Sequence, residues 1–104
     1  MVKPDTIVRQ AREQVSCDLG GEAAILNLAN GTYYGLDQVG ARIWNLIAKP
    51  TRVDEIRSAV LEEYEVAPER CERDLEELLS ELAEHGLIEV RDGAAEEAVA
   101  PAGS

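Results

Sequence analysis

Leu28-Ala29-Asn30-Gly31-Thr32-Tyr33-Tyr34-Gly35-Leu36-Asp37, running directly into Gln38-Val39-Gly40-Ala41-Arg42-Ile43-Trp44, is the stretch whose reading decides the fold. Asn-Gly is a strong hairpin signal, because a type I′ turn needs positive φ at both central residues. The run Ala24-Ile25-Leu26-Asn27-Leu28 precedes the turn, and Thr32 to Leu36 follow it as the second strand. On that strand Thr32, Tyr34 and Leu36 share one face, while Tyr33 and Gly35 share the other. Asp37 is placed to cap a helix by accepting from its first free amides, so the strand feeds the helix through almost no loop. A hairpin edge exposed beside a helix is a place to dock an extended peptide.

Outward from this stretch the pattern is strands first and helices after. Thr6-Ile7-Val8-Arg9-Gln10 is β-branched enough for a short first strand, and Val15-Ser16-Cys17-Asp18-Leu19 alternates as a half-buried strand does. Gly20-Gly21 supplies a turn, and the more continuously apolar run from Glu22 to Ala29 predicts a central strand covered on both faces. In the first helix Val39, Gly40, Ile43, Trp44 and Ile47 fall on one side, and Lys49-Pro50 ends it. Thr51 is positioned to cap a second helix carrying Val53, Ile56, Val60 and Tyr64. Pro68 suits the first position of a third helix reaching to His85. Cys71, Leu75, Leu78 and Leu82 form its stripe, with Leu79 beside them. Gly86 is the expected left-handed C-cap, His85 caps the same helix end, and Leu87-Ile88-Glu89-Val90 reads as a final strand. The fold class is α+β and winged helix-turn-helix-like: an N-terminal three-stranded antiparallel sheet, three helices and a short C-terminal strand. Residues 1–91 form one domain, and residues 92–104 read as a disordered acidic, Ala-rich tail.

Composition narrows the function. The chain has 104 residues, 21 acids against 10 bases and a formal net charge of −11. Nucleic-acid binding draws most of its affinity from Lys and Arg on phosphates, so no nucleic-acid partner is expected. No apolar run approaches the ~20 residues that cross a bilayer, and no signal region opens the sequence. No membrane partner and a cytoplasmic location follow as expectations. Cys17 and Cys71 read as two small buried apolar side chains rather than a disulfide framework.

The chemistry of catalysis is not legible in the sequence. One histidine, His85, stands where a helix ends, so no Ser-His-Asp or Cys-His set forms. The carboxylates Glu62, Glu63, Glu69, Glu72, Glu76, Glu77, Glu81 and Glu84 fall mostly on outer helix faces. No Gly-rich phosphate loop follows a strand, and too few ligands are present for a metal. Neither enzyme activity nor a cofactor is expected.

The run from Leu26 to Ile47, with its hairpin ending in Leu36-Asp37, then Gly40, then Ile43-Trp44, resembles the PqqD family, also called the RiPP precursor-peptide recognition element. The third-helix ending Leu79-Ser80-Glu81-Leu82-Ala83-Glu84-His85-Gly86-Leu87-Ile88 fits as well, and the resemblance covers about residues 5 to 91. It implies that the chain binds the leader segment of a ribosomal precursor peptide and delivers it to a processing enzyme. A free-standing copy of this length is similar to the leader-binding partner of lasso-peptide clusters, where a cysteine protease removes the leader and an ATP-dependent cyclase closes the ring. The family's binding mode implies that the leader pairs with the third strand of the sheet and packs on the third helix. Carried onto this sequence, the peptide-binding residues are Thr32, Tyr33, Tyr34, Gly35 and Leu36 on the strand, and Cys71, Asp74, Leu75, Leu78 and Leu82 on the helix.

Magnitudes qualify this mode. An added strand makes ~4–6 backbone hydrogen bonds worth ~0.5–1.5 kcal/mol each, against ~4–15 kcal/mol lost on association. Two or three apolar leader side chains, at ~1.5–3 kcal/mol each, must therefore enter pockets. Charged replacements of Leu75 or Tyr34 are expected to weaken binding without unfolding the chain. A leucine stripe is ordinarily core, so Leu75, Leu78 and Leu82 also fit internal packing. A winged-helix DNA binder and a general protein adaptor are the competing readings; the acids Glu72, Asp74, Glu76, Glu77 and Glu81 on the third helix weigh against the first of these.

Overall fold

The computed structural model describes residues 3–92. In chain order these form β1 (Ile7–Gln10), β2 (Gln14–Asp18), β3 (Ala23–Asn27), β4 (Tyr33–Leu36), α1 (Gln38–Leu46), β5 (Thr51–Arg52), α2 (Val53–Glu63), α3 (Pro68–Glu84) and β6 (Ile88–Arg91). The expected α+β class holds, with three helices and a C-terminal strand. The tail expected from Asp92 onward lies, apart from Asp92 itself, outside the described residues.

Two antiparallel sheets organise the molecule. β2, β3 and β4 form the three-stranded meander, while β1 leaves it and stands between β5 and β6 in a second sheet. Val8, fully buried, pairs with Val90 and Thr51. The Gln10 amide donates to the Ile47 carbonyl at 2.9 Å, and the Ala11 amide to the Leu87 carbonyl at 2.9 Å. β1 thus ties the end of the first helix to the end of the third.

Several local expectations are corrected. The β3–β4 turn is not type I′: Gly31 alone has positive φ (73°), and Asn30 does not. Two asparagine side chains shape the loop instead. Asn27 Oδ1 accepts from the Ala29 amide at 2.8 Å, and Asn30 Oδ1 accepts from the Thr32 amide at 2.9 Å. β3 is central in its sheet but buried on one face only, through Ala23, Ile25 and Asn27. Thr51 does not cap α2, whose N-cap is Arg52 without a side-chain bond. The Thr51 hydroxyl lies 2.8 Å from the Leu46 carbonyl and 2.9 Å from that of Lys49, closing the loop behind α1. Cys17 is exposed on β2, not buried; Cys71 is buried as expected.

The core gathers both sheets and all three helices around Val8, Ile25, Trp44, Ile47, Ile56, Leu79, Leu82 and Leu87. On α3 Leu79 and Leu82 are fully buried, whereas Leu78 is half-buried on the flank. α3 ends in a Schellman arrangement. The Leu87 amide donates to the Leu82 carbonyl at 2.9 Å, the Gly86 amide to that of Ala83 at 3.0 Å, and Gly86 has φ of 70°. Asn27, 4% exposed, locks the hairpin to this helix end. Its Nδ2 donates to the His85 carbonyl at 2.8 Å and lies 3.3 Å from that of Gly86. A Cβ on Gly86 would stand 3.0 Å from that same nitrogen, so glycine is required there both by φ and by space.

Candidate functional site

A groove of about 500 Å³ runs between β4, the start of α1, the end of α2 and one flank of α3. Its floor is apolar and comes from the core: Leu36, Ile43, Val60, Cys71 and Leu75 are all buried. Half-buried Tyr34, Val39, Tyr64, Val66 and Leu78 form its sides. The position of β4 is fixed at its far end by Asp37, whose Oδ1 accepts from the Gly40 amide at 2.8 Å and turns the chain into α1.

The charged groups lining the groove are carboxylates, contributed by Asp37, Asp74, Glu77 and Glu81. The Tyr34 hydroxyl donates to Glu81, and its ring packs against that of His85 at 5.5 Å between centroids. The Tyr34 phenol is pushed up to about 12, first by burial and then by the Glu81 hydrogen bond and charge. Folding therefore favours the neutral phenol. That contribution is present below the ordinary tyrosine value and is lost as pH rises through about 12. Absorbance titration at 295 nm should show a tyrosine ionising near pH 12, and Glu81→Gln should bring that step down. Unchanged titration in the variant would break the Tyr34–Glu81 link.

The outer edge of β4 carries the other half of the site. The Asn27 amide donates to the Thr32 carbonyl at 2.8 Å, and Ile25 faces Tyr34 while Ala23 faces Leu36. In an antiparallel ladder alternate residues bond the same neighbour, so Tyr34 and Leu36 direct their backbone groups, and Thr32 its carbonyl, to β3. Tyr33 and Gly35 direct theirs outward, and β4 is the edge of its sheet. Two N–H donors and two C=O acceptors therefore stand open beside the groove, at the low end of the sequence-derived range.

Of the residues singled out from sequence, Tyr34, Gly35, Leu36, Cys71, Asp74, Leu75 and Leu78 come together in this groove. Thr32 belongs to the turn, Tyr33 turns its ring to the opposite face of the sheet at 67% exposure, and Leu82 is fully buried in the core. Sequence reasoning passed over Val39, Tyr64, Val66, Glu77 and Glu81. Glu77 and Glu81 follow Asp74 at helical spacing, a signal that was present. Val66 had none, because its place depends on how the α2–α3 connection returns over the groove.

Residues 22–88 match the family model described as Coenzyme PQQ synthesis protein D (PqqD). The chain is similar to the solved structure of TbiB1 in complex with the TbiA(beta) leader peptide, at 41% identity and a TM-score of 0.73. That match covers 78% of this chain and 94% of the other. It is similar in fold to lasso peptide synthetase B1 complexed with the leader peptide, at 23% identity and a TM-score of 0.69, covering 79% of this chain and 96% of that one. No curated protein matches. Among the described residues no helix is long and apolar enough to cross a membrane.

Proposed function

Because the chain belongs to the PqqD family, we propose that it binds the leader segment of a ribosomally made precursor peptide, of the lasso-peptide class, and delivers it to maturation enzymes. The observation that carries this reading is the open edge of β4 lying alongside an apolar groove. A leader added antiparallel or parallel to β4 bonds the backbones of Tyr33 and Gly35. Its alternate side chains then point toward α3, where Leu36, Cys71, Leu75 and Leu78 receive them. TbiB1, 41% identical to this chain, is solved in complex with a leader peptide, which supports leader binding as the function.

Four backbone hydrogen bonds at ~0.5–1.5 kcal/mol each do not outweigh an association cost of ~4–15 kcal/mol. Affinity and selectivity therefore reside in the groove, and the edge sets register. The four wall carboxylates favour a leader that carries Lys or Arg next to its apolar anchors. We assign the chain no catalytic step. The receiving enzyme is the leader-cleaving cysteine protease of the same pathway. A cytoplasmic setting suits the exposed free thiol of Cys17.

Titration of the cognate leader, followed by calorimetry, tests the reading. Binding tighter than ~100 μM, about −5.5 kcal/mol, is expected; no heat at that concentration overturns it. Leu75 is 4% exposed, so a charge there tests folding rather than recognition, contrary to the sequence-based expectation. Leu78 is the cleaner probe. Its half-buried side chain forms a groove wall, so Leu78→Ala should weaken the leader about tenfold, for ~1–1.5 kcal/mol of lost apolar contact. The thermal midpoint should fall by only a few degrees. Unchanged affinity in Leu78→Ala would place the leader elsewhere.

A further inference from the structure

The face of the β2–β3–β4 sheet turned away from the helices is apolar and uncovered. Val15, Leu26 and Tyr33 are direct cross-strand partners and form one row over all three strands, at 55%, 39% and 67% exposure. Cys17, Ala24 and Gly35 form the next row. Leu28 and Leu19, both more than half exposed, extend the patch at its two ends. Singly exposed apolar side chains are ordinary, but a contiguous patch marks an interface. A sheet with one solvated face normally alternates apolar and polar residues. β3 does not: Ala23 and Ile25 face the core while Ala24 and Leu26 face outward. Its sequence is that of a strand covered twice, and the described fold covers it once.

We propose that this face docks the enzyme that receives the leader, through an apolar surface on that enzyme bordered by Lys and Arg. The inference rests on the proposed leader-binding function for the identity of the partner, but the face is separate from the groove. Two observations select this occupant. The first is continuity: Tyr33 and Gly35 belong both to the patch and to the open edge of β4. A leader strand added at that edge extends the same sheet, so an enzyme seated on the face lies beside the bound leader. The second is charge. Exposed Glu13 adjoins Leu28, to whose amide its carbonyl bonds at 2.9 Å. Exposed Glu22 adjoins Leu19, to whose amide its carbonyl bonds at 2.8 Å, with Arg12 the cation near the opposite end. A net charge of −11 on each copy opposes self-association through this surface and favours a basic partner.

The test uses the full chain, its leader and the purified leader protease of the same pathway. Leu26→Lys places a like charge at the centre of the patch, on a side chain outside the core. It should weaken protease binding at least tenfold while leader affinity stays within twofold. Cys17, exposed in the second row, reports on occupancy without mutation. Saturating protease should slow its alkylation by a maleimide at least fivefold, and leader alone should not. Cys71 is the internal reference, being 4% exposed with a thiol pushed up by burial. Wild-type protease affinity in Leu26→Lys, or Cys17 alkylation unaffected by protease, overturns the proposal. So does sedimentation showing that the chain alone is a dimer that Leu26→Lys dissociates, which assigns the face to a second copy. A chain that docks the protease with Cys17 protection but ignores the leader supports the docking face and overturns the proposed function.

Discussion

Gly35→Pro should weaken leader binding by about 30- to 1000-fold and leave the fold standing. Gly35 directs its N–H away from β3, so proline removes no bond of the existing ladder. Proline is tolerated at an edge strand when its missing N–H faces solvent, and it favours extended backbone at the residue before it, which Tyr34 already has. The leader, however, loses one donor and keeps a carbonyl desolvated against the proline ring. A lost bond of ~0.5–1.5 kcal/mol and an unpaired acceptor of ~1–3 kcal/mol together cost ~2–4 kcal/mol. Gly35→Ala is the control. No atom lies within 4 Å of the position its Cβ would take, so affinity should stay within about threefold. Leader titration and a thermal melt on both variants check the pair. Equal affinities in Gly35→Pro and the wild type would show that the β4 edge is not where the peptide pairs.

The second large effect is on stability. Asn27→Ala should lower it by ~2–4 kcal/mol, a drop of about 10–25 °C in thermal midpoint for a domain of this size. Asn27 is 4% exposed, and both ends of its side chain are occupied. Oδ1 holds the Ala29 amide inside the hairpin loop, and Nδ2 holds the His85 and Gly86 carbonyls where α3 ends. Alanine leaves those groups without a partner beside the core and releases the hairpin from the helix. Asn27→Asp separates the two ends. It keeps the acceptor for Ala29 but presents a carboxylate to two carbonyl oxygens, so it should destabilise at least as much as alanine. Wild-type stability in Asn27→Asp would mean that the tie to α3 contributes little.

The parts of this fold that were legible in the sequence are those set by local chemistry. Asp37 at the start of α1, Pro68 opening α3 and Gly86 closing it each act within one turn of the chain. The hairpin was legible while its turn type was not, because Asn27 and Asn30 reshape the loop by side-chain hydrogen bonds that the Asn-Gly pair does not announce. The β5–β1–β6 sheet was not legible. Its pairs join Val8 to Val90 and Thr51, contacts that no local pattern specifies. Of the adjacent leucines on α3, both continue a helical stripe from Cys71 and Leu75. Only packing decides that Leu79 enters the core while Leu78 borders the groove.

The groove itself was half legible. Tyr34, Leu36, Cys71, Asp74, Leu75 and Leu78 belong to two elements whose facing could be read from the family resemblance. Val39, Tyr64 and Val66 come from segments that bend toward the site only in three dimensions. The apolar run through β3 carried a signal whose meaning changed: it pointed to cover on both faces, and the structure leaves one of them open.

Amide hydrogen exchange with and without the leader tests the central claim most directly. The Tyr34 amide, already directed to β3, should be protected in the free chain, and the Tyr33 and Gly35 amides should exchange rapidly. Leader binding should slow Tyr33 and Gly35 strongly while Tyr34 changes little. Saturating leader that leaves both outward amides exchanging as in the free chain would contradict strand addition at β4.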